Sequence, residues 1–197
     1  MKEETNIKEI SKILTLKVFE AIDFSTTTHD KWDIDSSLLK LDEEFGELSE
    51  AILFQIGLLP HKKLKEKAIG EVADNFIQIC CIFSYQKDIK KYLNQRFNIE
   101  KKLIEHCFLE IKPYETLFLA LKDIQREYRL DCSEIELLNV FYLEYILKRL
   151  TTLAIITKAI DDKLDISEIN EDYIAESIAT FVAQIDLKLN KWKRNYL

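Results

Sequence analysis

Asp42, Glu43, Glu44, Glu47 and Glu50 fall within one short segment of the chain. The pairs Glu43/Glu47, Glu44/Glu47 and Glu47/Glu50 stand three or four positions apart, so on a helix they are neighbours of like charge. Each exposed pair of that kind costs about 0.2–0.5 kcal/mol. Only Lys40 lies within reach along the same helix to offset them. Glu71 and Asp74 repeat the i,i+3 spacing further on. The stripe Leu41, Phe45, Leu48, Ile52 defines the inward direction of the first segment. At about 100° per residue, Glu44 lies about 60° from that direction and Glu47 about 120°, while Glu43 and Glu50 point nearly opposite. In the second segment Ile69, Ala73, Phe76, Cys80 and Phe83 form one apolar face. The side that carries Glu71 and Asp74 continues as Gln78, Cys81, Ile82 and Tyr85, which is not a solvated face. Carboxylates on a helix covered on two sides are costly to ionise without a partner. A hard divalent cation would supply one, since Mg2+ takes oxygen ligands and is shared between carboxylates and substrate phosphates. Two antiparallel helices offering acids at i and i+3 can set four carboxylates around one or two ions. The alternative for Asp42 to Glu50 is a solubilising acidic face.

The elements that must position these acids are read as helices. The chain has 197 residues, 47% hydrophobic and 32% charged, with only three glycines and two prolines. That supply of turn formers excludes an all-β sandwich and disfavours a parallel α/β sheet. Apolar periodicity predicts helices over 5–22, about 36–57, about 62–86, one or two within 87–111, then 113–129, from Cys132 and Ser133 to about 161, and 170–195. Asp35 and Ser36 are read as the cap of the second, and Pro113 as part of the first turn of a later one. A repeat is visible: LLKLDEEFGELSEAI overlies YILKRLTTLAIITKAI, and AIGEVADNFIQI overlies IAESIATFVAQI, so that Glu71 matches Glu176 and Phe76 matches Phe181. The fold class expected is all-α: a bundle of two related, tandem helical units, residues 1–111 with the acids and 112–197 as a degenerate second unit.

LLKLDEEFGELSEAI followed by KAIGEVADNFIQI resembles the MazG-like nucleoside triphosphate pyrophosphohydrolases, whose signature is ExxE, a spacer, then ExxD. Here it reads Glu44-Phe45-Gly46-Glu47 and Glu71-Val72-Ala73-Asp74, and the match covers residues 38–83. The flanks agree as well: a leading L-x-x-E-E, then G-E-L-x-x-A, an apolar run after Asp74, and an upstream aromatic residue at Trp32. The resemblance implies an all-α hydrolase that cuts a nucleoside triphosphate, NTP or dNTP, into monophosphate and pyrophosphate. It implies Mg2+, with Mn2+ as a substitute, held by Glu44, Glu47, Glu71 and Asp74. Glu43 or Glu47 would orient the attacking water. The second half departs from the pattern: under the repeat, Glu44 falls on Thr152, Glu47 on Ile155 and Asp74 on Ala179, leaving only Glu176. The second unit is then expected to serve as a built-in partner without a metal site.

Basic side chains that can meet a triphosphate tail are Lys62, Lys63 and Lys65, then Lys90, Lys91 and Arg96, and finally Lys188, Lys191, Lys193 and Arg194. Of these Lys62, Lys191 and Arg194 are the chosen phosphate-binding candidates, and Trp32 or Trp192 can stack on a base. Gly46 and Gly70, beside the acid motifs, can let a helix or phosphate approach. His29, His61 and His106 are isolated and carry no assigned chemistry. The net charge of −7 disfavours nucleic acid and anionic membrane as partners. No signal peptide or membrane span is visible. Cys80, Cys81, Cys107 and Cys132 read as free thiols of a cytoplasmic protein. A homodimer is allowed. Related activities on dUTP, dUDP or phosphoribosyl-ATP, and a non-catalytic oligomerisation or regulatory role on the same fold, are the competing readings.

Overall fold

The computed structural model describes residues 2–28, 33–59, 64, 66–96, 99, 102–133 and 139–196. The α-helices among them are α1 (Lys2–Thr26), α2 (Ile34–Gln55), α3 (Ala68–Phe83), α4 (Ile89–Arg96), α5 (Leu103–Ile111), α6 (Leu117–Ser133), α7 (Val140–Asp161) and α8 (Glu171–Tyr196). A single 3-10 turn, Ile166–Glu168, precedes α8, and no strand occurs among the described residues. The expected all-α class is therefore met. No helix of the described residues is long and apolar enough to cross a membrane.

Side-chain caps explain where the helices depart from the predicted bounds. α1 runs past residue 22 because Thr26, Thr27 and Thr28 turn their hydroxyls back onto the carbonyls of Asp23, Phe24 and Ser25 at 2.7, 2.6 and 2.9 Å. Asp33, not Asp35, caps α2, its carboxylate accepting the Ser36 N–H at 2.7 Å. Gly57 ends α2 as expected: at φ +81 its N–H reaches the Phe54 carbonyl, and the Leu58 N–H reaches that of Leu53, both at 2.9 Å. α3 begins at Ala68 rather than 62, because Lys67 is extended and its carbonyl receives the Gly70 and Glu71 N–H groups. α6 begins at Leu117, with the Thr116 hydroxyl accepting from Leu119 N–H at 3.3 Å, so Pro113 sits in the preceding turn. Cys132 and Ser133 close α6 instead of opening α7. Ser133 spends its hydroxyl on the Leu130 carbonyl, and Asn139 caps α7 through the Tyr142 N–H.

The core is one continuous apolar cluster drawn from both halves of the chain. Its centre is α3, in which every residue from Ala68 to Phe83 is buried, polar ones included. α1, α2, α7 and α8 surround it. The expectation of a helix covered on two sides is thus exceeded: α3 is covered all round. Full burial of a side chain such as Phe76 or Ile77, each 0% exposed, contributes about 1.5–3 kcal/mol. α2 and α3 run antiparallel, as Gln78 bonds Ser37 while Asn75 bonds Glu44. α7 and α8 form a second antiparallel pair, tied by Lys158 to Glu176 at 3.2 Å and Tyr173 to Asp162 at 2.9 Å. The helices that precede the two pairs sit differently: α1 packs on α3 and α8, whereas the main partner of α6 is α7.

Candidate functional site

The acids on α2 and α3 meet across the antiparallel pair. One carboxylate oxygen each from Glu44, Glu47 and Glu71 lies within 4.8 Å of the other two. Glu44 and Glu71 are 4% and 6% exposed, and Glu47 is half-buried. Two amide side chains on α3 fix the register that brings them together. Asn75, 0% exposed, donates from Nδ2 to the carbonyls of Glu44 at 3.0 Å and Glu71 at 2.9 Å. Its Oδ1 accepts the Tyr128 hydroxyl of α6 at 3.1 Å. Gln78 donates to the Ser37 carbonyl at 2.7 Å. Sequence reading missed Asn75. Its signal was an amide directly after Asp74, with Gln78 three residues on, in an otherwise apolar run.

The charges at the site are partly paired. Lys40 lies 2.8 Å from Glu44 Oε1 and 2.9 Å from Glu43. Burial works against the Lys40 ammonium, but these two carboxylates overcome it and raise its pKa. Asp74 is 6% exposed and accepts a hydrogen bond from Lys188 of α8, whose ammonium also reaches Glu66 Oε2 at 2.5 Å. Glu71 Oε2 is buried with no hydrogen-bond partner among the described residues. Burial lifts the Glu71 carboxyl to about 7, Lys188 pulling down and Asp74, Glu47 and Glu66 pushing up. Burial likewise lifts Asp74 to about 6 against the pull of Lys188, with Glu44 and Glu66 adding to the rise.

Of the expected ligands, Glu44, Glu47 and Glu71 converge, and Asp74 stands beside them with its carboxylate engaged by Lys188. Glu43 points outward and is exposed, while Glu47 lies inside the cluster. Lys188, read with Lys191, Lys193 and Arg194 as a side chain for the triphosphate tail, is 4% exposed and reaches the acid site through Asp74. Lys191 and Arg194, one and two turns further along α8, line a groove of about 580 Å3 together with Lys188, Glu66 and Asn190. Lys193 instead pairs with Glu20 at 2.5 Å, and Lys90 with Asp23 at 2.6 Å. Trp192 lines a cavity of about 30 Å3 with Lys40, Gln78 and Tyr85. That space admits about two waters and is too small for a nucleobase. Lys62, Lys63, Lys65, Trp32 and the side chain of Arg96 lie outside the described residues.

The two glycines differ. A Cβ at Gly46 would meet nothing within 4 Å, so no close approach explains it. A Cβ at Gly70 would fall 1.9 Å from Glu66 Oε1, so the bare backbone there makes room for the carboxylate that holds Lys188. His106 does have a neighbour, Glu110 at 3.4 Å, and burial first, with Lys148 and Arg149, lowers its pKa to about 4. The four cysteines are free thiols. Compared with family models, curated proteins and solved structures, the chain matches none of them.

Proposed function

We propose that the chain is a Mg2+-dependent pyrophosphohydrolase of MazG-like type, which cleaves a nucleoside triphosphate between its α and β phosphates. The observation that carries this reading is Glu71 Oε2, a buried carboxylate oxygen without a hydrogen-bond partner among the described residues, beside Glu44 and Glu47. An unpaired anionic oxygen in that setting is costly, and a divalent cation is the ligand that removes the cost. An all-oxygen donor set fits Mg2+ or Mn2+ and does not fit a thiol-seeking metal. Glu44, Glu47, Glu71 and Asp74 would hold the ion, which when bound would neutralise phosphate oxygens during in-line displacement. Glu47 is the better base than Glu43, because it lies in the cluster while Glu43 is exposed and paired with Lys40. It takes the proton of the water that attacks the α-phosphorus, as the bond to the bridging oxygen breaks and pyrophosphate leaves. Lys191 and Arg194 receive the departing phosphates in the groove that Lys188 and Glu66 also line.

The second unit then acts as a built-in partner. Phe76 and Phe181, equivalent in the repeat, meet edge to face at 5.6 Å, as residues flanking a pseudo-twofold axis do. α8 also supplies Lys188 and the groove side chains to an acid site carried by the first unit. A non-catalytic helical protein is the second reading. The Lys188–Asp74 pair favours it, since one of the four acids is neutralised without an ion. A panel of NTPs and dNTPs with Mg2+, assayed for released pyrophosphate, separates the two. Turnover of at least one nucleotide, reduced to background by Glu47→Gln and by Asp74→Asn, is the expected result. Absence of turnover together with no Mg2+-dependent thermal shift would assign the chain to the scaffold reading.

A further inference from the structure

Lys188 reaches Asp74 of the acid site and also lines the groove. The residue is 4% exposed, and its ammonium is held from two sides, by Asp74 of α3 and by Glu66 of the segment before α3. The Glu66 carboxylate occupies the space that the bare Cα of Gly70 leaves. Asp74 belongs to the same helical turn as Glu71 and stands beside the cluster of Glu44, Glu47 and Glu71, but its carboxylate faces an ammonium. The same Lys188, with Glu66, Lys191 and Arg194, lines the groove of about 580 Å3. A lysine has a flexible four-carbon stem and three rotatable donors. Turning that stem carries the charge from Asp74 into the groove without moving α8.

Building on the magnesium reading above, we propose that Lys188 is the counter-cation of Asp74 in the metal-free site, giving up Asp74 when a divalent cation arrives and passing to the phosphate groove. Two consequences follow from charge alone. An ammonium on Asp74 and a dication at Glu44, Glu47 and Glu71 repel each other, so Lys188 weakens metal binding by the free protein. A polyphosphate in the groove gives the ammonium another partner and removes that opposition. Metal and polyphosphate therefore raise each other's affinity, and by linkage the two effects are equal. The device keeps the site poorly loaded until the anionic tail of a substrate is present.

The test uses the native full-length chain first. Reductive methylation of lysines, read by mass spectrometry, labels Lys188 slowly in metal-free protein, several-fold faster with Mg2+ alone, and slowly again with Mg2+ plus imidodiphosphate. Lys122, which is exposed, serves as the control and keeps one rate throughout. Calorimetry then compares Mg2+ binding by native protein and by Lys188→Gln. The variant binds Mg2+ about tenfold tighter in the absence of anion, and it loses most of the similar gain that imidodiphosphate gives the native chain. Bound Mg2+ that Glu47→Gln abolishes, with Lys188 labelling unchanged, would make Lys188 a fixed structural pair and overturn this proposal alone. Equal or weaker Mg2+ binding by Lys188→Gln would do the same. No Mg2+ binding by either protein would remove the metal reading on which it stands.

Discussion

At the scale of single residues, the acid site is governed by solvation. Burial lifts Glu71 to about 7 and Asp74 to about 6, and Lys188 opposes both rises. A carboxyl whose pKa is higher in the folded chain keeps its proton where the unfolded chain has shed it. Stability then falls as pH rises through the interval, here from 4.5 to about 7 for Glu71. For a shift of that size the loss is on the order of 3 kcal/mol. Urea unfolding of metal-free protein at about pH 5 and about pH 7.5, compared with Glu71→Gln, should show a downward slope that is shallower in the variant, where Asp74 alone still contributes. Parallel profiles would mean that Glu71 carries no excess proton. Mg2+ should restore stability only at the upper end, where the ion no longer competes with that proton. The sequence carried the acids of this site in its i,i+3 spacing. It did not carry the partner of Asp74, because Lys188 reads like the lysines that follow it.

Among the elements, the register of α2 against α3 decides whether the acids meet at all. Asn75 holds it by one hydrogen bond across to the Glu44 carbonyl, is itself oriented by a second to Glu71 within α3, and accepts a third from Tyr128. Asn75→Ala removes all three and leaves the buried Tyr128 hydroxyl without this acceptor. The expected cost is about 2–4 kcal/mol, measured by denaturant unfolding, with a larger proportional loss of Mg2+ affinity as Glu44 and Glu71 drift apart. A loss of stability with unchanged Mg2+ affinity would show that packing alone holds the register. Tyr128 is itself 0% exposed, and its ring meets Phe45 at 5.7 Å, so α6 helps brace α2 from outside the predicted motif. Helix existence was legible from periodicity throughout. Helix ends were not, because Thr26, Thr116 and Ser133 cap by side-chain bonds that periodicity does not see.

For the whole molecule, the second half is tied together by a buried charge. Arg149 of α7, 5% exposed, reaches Glu110 of α5 at 2.7 Å and also pairs with Glu127 of α6. Burial raises the Glu110 carboxyl, with Arg149 pulling the other way. Arg149→Met strands the buried Glu110, while Glu127 keeps its access to water, and should cost about 3 kcal/mol near neutral pH. The deficit should shrink at lower pH as Glu110 takes up a proton. Urea midpoints at two pH values measure both effects, and a deficit that does not change with pH would exclude Glu110 as the stranded charge. Neither the pairing nor its role was visible beforehand, since Glu110, Glu127 and Arg149 lie on three separate helices.

The all-helical class and the positions of the acids along α2 and α3 follow from the sequence alone. A helix fixes the direction of each side chain relative to its own axis through local geometry, and residues three or four apart are enough to define it. The Lys188–Asp74 contact, 114 residues apart in the chain, and the meeting of Glu44 and Glu47 with Glu71 across two helices were decided by tertiary structure. Distances between side chains on different helices depend on axial offset and on what packs behind them. Those are set by the whole core, with α3 at its centre, and no local spacing encodes them.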